Sequence, residues 1–160
     1  MARLADLKLA YRIFMEAYPY RRIDWRPGWH LSKPLGTARI ALITSAGFFT
    51  PEQAPFDSSI RGGDWSVREI PSSTSVQDLR IGQKSDAFDH SGIEMDRNLA
   101  LPIDRLRELV ETGIVGEAAP RHFSIMGSIS APGRLVSVSA PEIARKLHED
   151  AVDGVLLTPV

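Results

Sequence analysis

Apolar residues in the first stretch of the chain return every three or four positions. Leu4, Leu7, Tyr11, Phe14 and Tyr18 form one stripe, with Arg3, Asp6, Lys8, Arg12 and Glu16 set between them, which predicts an amphipathic helix. Its polar face carries both signs, so it suits packing on a domain or partner better than a membrane surface. From Pro19 to Pro34 the periodicity stops. This arm holds Trp25, Trp29 and the arginines 21, 22 and 26, and two tryptophans beside Pro27 and Gly28 are expected to lie across a surface.

The pattern changes again at Ala38-Arg-Ile-Ala-Leu-Ile-Thr44, a short run with few charges ended by Ser45-Ala-Gly47, which predicts a strand buried on both faces. Trp65 to Ile70 alternates and Pro71 ends it, predicting a second strand. Pro102 to Gly113 predicts a helix: proline opens it where a missing N–H costs nothing, and Gly113 suits the left-handed position past its end. Its buried stripe is expected to be Ile103, Leu106, Leu109 and Val110, with Arg105 and Glu108 exposed. Ser139 or Ala140 leads into a second proline-led helix, Pro141 to Asp150, and then a buried-type strand over 152–160. A helix followed by an apolar strand, with no hairpin signal between them, indicates a parallel sheet. The expected fold is α/β, an open and mostly parallel sheet flanked by helices in a Rossmann-like or flavodoxin-like manner. Residues 1–34 would form the helix and arm, and 35–160 the α/β domain.

Composition narrows the function. Lys and Arg number 19 against 20 Asp and Glu, so the basic excess of a nucleic-acid binder is missing. Cysteine is absent, which excludes disulfides, thiolate metal sites and any thiol nucleophile within these residues. The first residues lack the uncharged core of a signal peptide, and no apolar run approaches the roughly 20 residues that span a bilayer. A cytoplasmic setting is the expectation.

Candidate chemistry lies in a few loops. The turn from Thr44 to Gly47 follows a strand, where open parallel sheets bind ligands, and its small residues would admit an anion to the backbone. Neither dinucleotide nor Walker glycine spacing is present, so a nucleotide-binding regulator is the weakest reading and a tight turn the simplest. His90 beside Asp89 is a candidate general base, because a carboxylate fixes the imidazole tautomer. Asp89, Glu94 and Asp96 do not follow calcium-loop spacing, and no metal site is expected. Arg121-His122, read as part of a loop, offers a carboxylate clamp or a structural pair. Gly62-Gly-Asp64 is most simply a turn, and His30 and His148 are bystanders. No Gly-x-Ser-x-Gly elbow exists for a serine hydrolase.

Several segments stand in a telling order: Ala38 to Gly47, Pro55-Phe-Asp57, Gly63 to Pro71, Asp89-His-Ser91 with Asp96 beyond it, Pro102 to Leu109, Gly116 to Ser124 and Val152 to Val160. Together they resemble the selenoprotein B subunit family of glycine, betaine, sarcosine and D-proline reductases. The resemblance covers about Leu35 to Val160. It implies a reductase subunit that cleaves a C–N bond of a small amino acid or betaine with a selenolate, a nucleophile already ionised at neutral pH. It also implies partner subunits, one carrying a pyruvoyl group in some members. Thr44, Gly47, Asp64, Glu69, His90, Asp96 and His122 become pocket candidates, and His90 and the Thr44–Gly47 turn are expected to share a cleft. Family members place selenocysteine or cysteine directly after a strand like Leu156 to Val160, so no catalytic nucleophile is present here. The resemblance therefore carries the expectation of a frame truncated at a UGA codon, with selenocysteine in the full-length protein; reading the gene past Val160 decides it. The alternative is a non-enzymatic small-ligand-binding or interaction module on the same fold.

Overall fold

The computed structural model describes residues 8–18, 24, 28, 30–82 and 91–160. The chain divides into two units, Met1–His30 and Leu31–Val160. In the first, helix α1 spans Leu9–Ala17. It carries an Arg12–Glu16 ion pair at 3.7 Å, one turn apart, and a tilted Phe14–Tyr18 ring contact with centroids 5.6 Å apart. The arginines and tryptophans of the arm lie outside the described residues.

The second unit is built on β1 (Arg39–Thr44), β2 (Phe48–Phe49), β3 (Val67–Pro71), β4 (Arg80–Ile81), β5 (Glu117–Ala118), β6 (Arg121–Ile125) and β7 (Gly154–Thr158). Its helices are α2 (Ser91–Met95), α3 (Ile103–Glu111) and α4 (Ala140–Glu149). Strand β1 pairs in parallel with β7 along Ile40–Thr44, and in parallel with both β5 and β6. A strand has two edges, so β5 and β6 lie end to end on the edge away from β7. Strand β3 closes the far side of β6, antiparallel, with Ile70 opposite His122. The result is an α/β fold around a mixed, mostly parallel five-stranded sheet, with β2 and β4 forming a separate two-stranded ribbon.

Core packing explains which predictions survive. In β1, Ala41 and Leu42 are buried, as a central strand requires. Helix α3 sends Ile103 and Leu106 into a cluster with Leu42, Ile70 and Leu101, with Val110 packed against it. Leu109 corrects the expected stripe: it is 39% exposed, on the flank of the helix. The end of α3 is as the glycine indicated. Gly113 takes φ +72°, its N–H donates to Val110 C=O at 3.0 Å, and Ile114 N–H reaches back to Leu109 C=O at 2.9 Å.

Two further corrections concern strands, and the helix start expected at Ser139 or Ala140 is found there in a modified form. Residues 121–125, read as a loop from Arg121-His122, form β6, the inner strand between β1 and β3. The segment 152–160 does form a parallel strand, but Val155, Leu156 and Leu157 are 41%, 50% and 65% exposed. Among the described residues β7 pairs only with β1, so its apolar sequence is not matched by burial. Ser139 does not cap α4 from outside. It is already helical, within a wide π-type turn over Leu135–Ser139 that runs into α4. Pro141, near the start of α4, brings no N–H to the helix, and a widened turn directly before it absorbs that missing bond.

Candidate functional site

In a parallel sheet the chain emerges from each strand at the carboxyl edge, and the loops there meet whatever binds. Three described loops converge at this edge: Thr44–Gly47 after β1, Gly62–Trp65 before the antiparallel β3, and the stretch from Met126 to Arg134 after β6. The strand end of β7 joins them. Ala46 bridges to Met126, and Gly47 N–H donates to Ile125 C=O at 3.0 Å. Ala131 N–H donates to Gly62 C=O at 3.1 Å.

Backbone approach at this point requires glycine. Gly63 has φ +98°, and a Cβ there would stand 2.9 Å from Ile129 Cα, closer than a carbon contact permits. On the facing loop Ser128 also occupies the left-handed region, at φ +57°. Non-glycine residues rarely stay there unless their surroundings hold them. Trp65 is fixed by the hydroxyl of Ser139, which donates to its carbonyl. The Arg134 guanidinium lies 5.4 Å from the Trp65 ring centroid. Arg134 is exposed and, among the described residues, forms no ion pair.

Hydroxyl groups clasp the ends of β1 and β7. Val160 N–H donates to Ser45 Oγ at 2.9 Å, and Ser45 N–H donates to Thr158 C=O at 3.3 Å. Thr44 Oγ1 donates to Thr158 C=O at 3.3 Å, while Thr158 Oγ1 donates to Ala100 C=O at 2.6 Å. Thr44 Oγ1 also accepts from Ala46 N–H at 3.1 Å. The amides of Ser45, Ala46 and Gly47 are thus all engaged within the fold. The anion-admitting turn expected from its small residues has no backbone donor to offer.

The candidate residues separate into groups. Thr44, Gly47 and Asp64 all sit at the carboxyl edge. Asp64 is 5% exposed and accepts from the N–H groups of Asp57 and Ser66, each at 2.8 Å. Burial pushes its carboxyl up, but hydrogen bonds from Ser66 and Asp57 and the charge of Arg68 outweigh this and hold it below the ordinary value. It organises the loop before β3. Asp96 accepts from Asn98 N–H at 2.9 Å, starting the short 3-10 turn that leads to α3. Asn98 in turn accepts from Asp104 N–H at 3.1 Å. His90 lies outside the described residues, and so does its expected cleft with the turn.

Arg121 and His122 do not converge on one ligand, because neighbours in a strand point to opposite faces. Arg121 faces α4, donating to Asp150 at 2.6 Å and to Glu69 at 2.9 Å. Lys146 also reaches Glu69, at 2.5 Å. Hydrogen bonding from Lys146, then Arg121, keeps the Glu69 carboxyl below its usual range. Glu69 thus belongs to an ion network between β3, β6 and α4. His122 is fully buried on the opposite face. Strand pairing breaks at Ala119–Pro120, where the Pro120 carbonyl turns to accept from Ser72 N–H at 2.9 Å. Leu42 N–H then donates to His122 Nδ1 at 3.2 Å. Burial, with the positive Arg107 nearby, drives the His122 imidazole down to about 4, so it is neutral at pH 7.

An open cleft of about 600 Å³ lies apart from this edge, beside β3, and is lined by Thr50, Glu52, Gln53, Ser73, Asp78 and Arg80 among others. Of the sequence candidates only Glu69 borders it. Trp65, Ser128 and Arg134 were not singled out in the sequence. Their signal is the Gly-Gly pair ahead of Trp65 and the small-residue run from Gly127 to Gly133, which gain meaning only once β6 is seen to be a strand. No group of three or more His, Asp or Glu among the described residues is placed to hold a metal ion, and no described helix is long and apolar enough to cross a membrane.

Residues 6–160 match the family described as glycine/sarcosine/betaine reductase selenoprotein B. The D-proline reductase subunit gamma of Acetoanaerobium sticklandii is 34% identical over 134 residues, which is 84% of this chain and 52% of that one. The sarcosine reductase complex component B subunit beta of Peptoclostridium acidaminophilum is 27% identical over 154 residues, covering 94% of this chain and 34% of that protein. The glycine reductase complex component B subunit gamma of Symbiobacterium thermophilum is 26% identical over 154 residues, 94% and 35% of the two chains. The chain therefore spans about half the length of the first relative and about a third of the other two. No solved structure matches it. The chain belongs to the selenoprotein B family of amino-acid reductase complexes.

Proposed function

We propose that this member of the selenoprotein B family holds a small amino acid or betaine at the carboxyl edge of its sheet, as the scaffold of a reductase component that cleaves the substrate's C–N bond. The observation that carries this reading is the arrangement of Trp65 and Arg134. An exposed guanidinium, held 5.4 Å over an indole, stands where three loops converge. The substrates in the names of the family and its relatives are glycine, sarcosine, betaine and D-proline. All four carry a carboxylate next to the nitrogen-bearing carbon. A guanidinium is the side chain best shaped for a carboxylate, and an aromatic face suits the ammonium or methylated nitrogen beside it.

Bond cleavage is assigned by the family resemblance to a selenolate or thiolate. None of these 160 residues supplies one, since cysteine is absent. The residues present fit such a group in one respect: Ser45 fixes the end of β7 against the turn after β1, so a group carried past that strand end would emerge at the same carboxyl edge of the sheet, across β1 and β6 from Trp65 and Arg134. Partner subunits, one of them with a pyruvoyl group, complete the reaction in this reading. Complete absence of cysteine favours a second reading, a ligand-binding or interaction module without redox chemistry. Reading the gene past Val160 separates the two: an in-frame selenocysteine or cysteine codon favours the reductase, and its absence favours the binding module.

Calorimetric titration of the chain with each of the four compounds tests the binding role. At least one is expected to bind, and Arg134→Gln should weaken it about tenfold to a hundredfold, the loss of one charged hydrogen-bonding partner. If none binds, the substrate-holding role fails. If Arg134→Gln binds as tightly as the parent chain, the anchor is elsewhere.

A further inference from the structure

We propose that β6 holds one internal water molecule between His122 Nε2 and Ser124 Oγ, a permanent ligand of the sheet's packed face. His122 and Ser124 are both fully buried. They are two residues apart in one strand, so their side chains share a face. Among the described residues, their Nε2 and Oγ atoms are the two on the sheet that are buried without a hydrogen-bond partner. Such orphan atoms are uncommon in folded proteins, and where they occur in pairs an ordered water is the usual partner.

Tautomer and geometry both point the same way. Nδ1 accepts the Leu42 N–H, so in the neutral ring the proton resides on Nε2, which becomes a donor in need of an acceptor. Ser124 Oγ can accept that donation or give its own proton. At this spacing the backbone α-carbons stand about 7 Å apart on one face, within the reach that two side chains and one bridging water can span. A larger polar ligand does not suit the place, because Leu42, Ile70, Ile103 and Leu106 form the packed cluster on this side of the sheet. Position gives the water a role. Ser124 is the strand partner of Thr44, whose hydroxyl clasps Thr158, so the water lies one residue pair from the carboxyl-edge site.

Long-range proton–nitrogen NMR of the ¹⁵N-labelled chain at pH 7 tests the proposal. The His122 signal should show the Nε2–H tautomer and a cross-peak from that proton to water with the sign of a long-lived contact. Ser124→Ala should abolish the water cross-peak while the Leu42 amide stays at its shift. Ser124→Thr, which keeps the hydroxyl, should retain it and serves if the alanine variant does not fold. An Nδ1–H tautomer overturns the proposal. So does an Nε2–H in contact only with Leu42 and Ile70 side chains, a direct coupling from Nε2–H to Ser124, or a water contact unchanged in Ser124→Ala.

Discussion

Acidifying the protein from neutrality toward pH 4 should destabilise it through His122. In the folded chain this imidazole is fully buried, accepts the Leu42 N–H and is lowered from 6.5 to about 4. Unfolded, it regains its ordinary value. Between pH 6.5 and about 4 the unfolded state therefore binds a proton that the folded state refuses, and stability falls as pH falls. Above 6.5 the contribution is fully present, and below about 4 this group adds no further loss. A shift of this size, at about 1.4 kcal/mol per pH unit, sets the loss at about 3 kcal/mol. Asp64 and Glu69 are both held below their ordinary values, so their contributions are lost mainly at lower pH. Urea unfolding followed by circular dichroism at pH 7, 6, 5 and 4.5 gives the curve. His122→Gln keeps an acceptor for Leu42 N–H but removes the titration, and should flatten it. A parent chain that loses less than about 0.5 kcal/mol over this range, or a glutamine variant with the same slope as the parent, would refute the reasoning.

Other substitutions probe the packing. Leu106→Ala removes a side chain that is 5% exposed in the main cluster and should cost about 2–5 kcal/mol in denaturant unfolding, whereas Leu109→Ala, at 39% exposure, should cost under about 1 kcal/mol. Equal losses would mean that α3 packs by another face. Gly63→Ala meets both the left-handed backbone and Ile129 Cα at 2.9 Å, and should lower stability by more than about 1 kcal/mol. A neutral result would show that the loops at the carboxyl edge are not held together. Arg121→Met removes the cation shared by Glu69 and Asp150 and should cost about 1–3 kcal/mol, with part of the loss recovered in Arg121→Lys.

What could be read in the sequence was whatever is decided locally. The run from Ala38 to Thr44 reads as a central strand because burial on both faces leaves no polar alternation. Pro102 and Gly113 mark α3 because each acts through its own backbone. Strand β6 was hidden because its polar residues are satisfied far away: Arg121 by Glu69, 52 positions distant, and His122 by Leu42, 80 positions distant. Read in isolation, Arg121-His122 has the look of a loop. Leu109 and β7 show the converse, since apolar side chains announce a face that would favour burial but not whether anything covers it. The same limit applies to the site. Thr44, Gly47 and Asp64 follow from position beside strands, but Trp65 with Arg134 depends on two loops 69 residues apart, from 65 to 134, meeting across the edge. The amides of the Thr44–Gly47 turn looked free for an anion until β7 supplied an acceptor for Ser45, β6 one for Gly47 and the Thr44 hydroxyl one for Ala46.

The central claim, that substrate is held at the carboxyl edge, is tested most directly by mapping amide shifts of the ¹⁵N-labelled chain during titration with glycine, sarcosine, betaine and D-proline. The account predicts that the compound that binds moves the amides of Ser45–Gly47, Gly62–Trp65 and Gly127–Arg134 together, with Thr50–Gln53 and Ser73–Arg80 undisturbed. Shifts confined to those last two segments would place the ligand in the cleft beside β3 and contradict it.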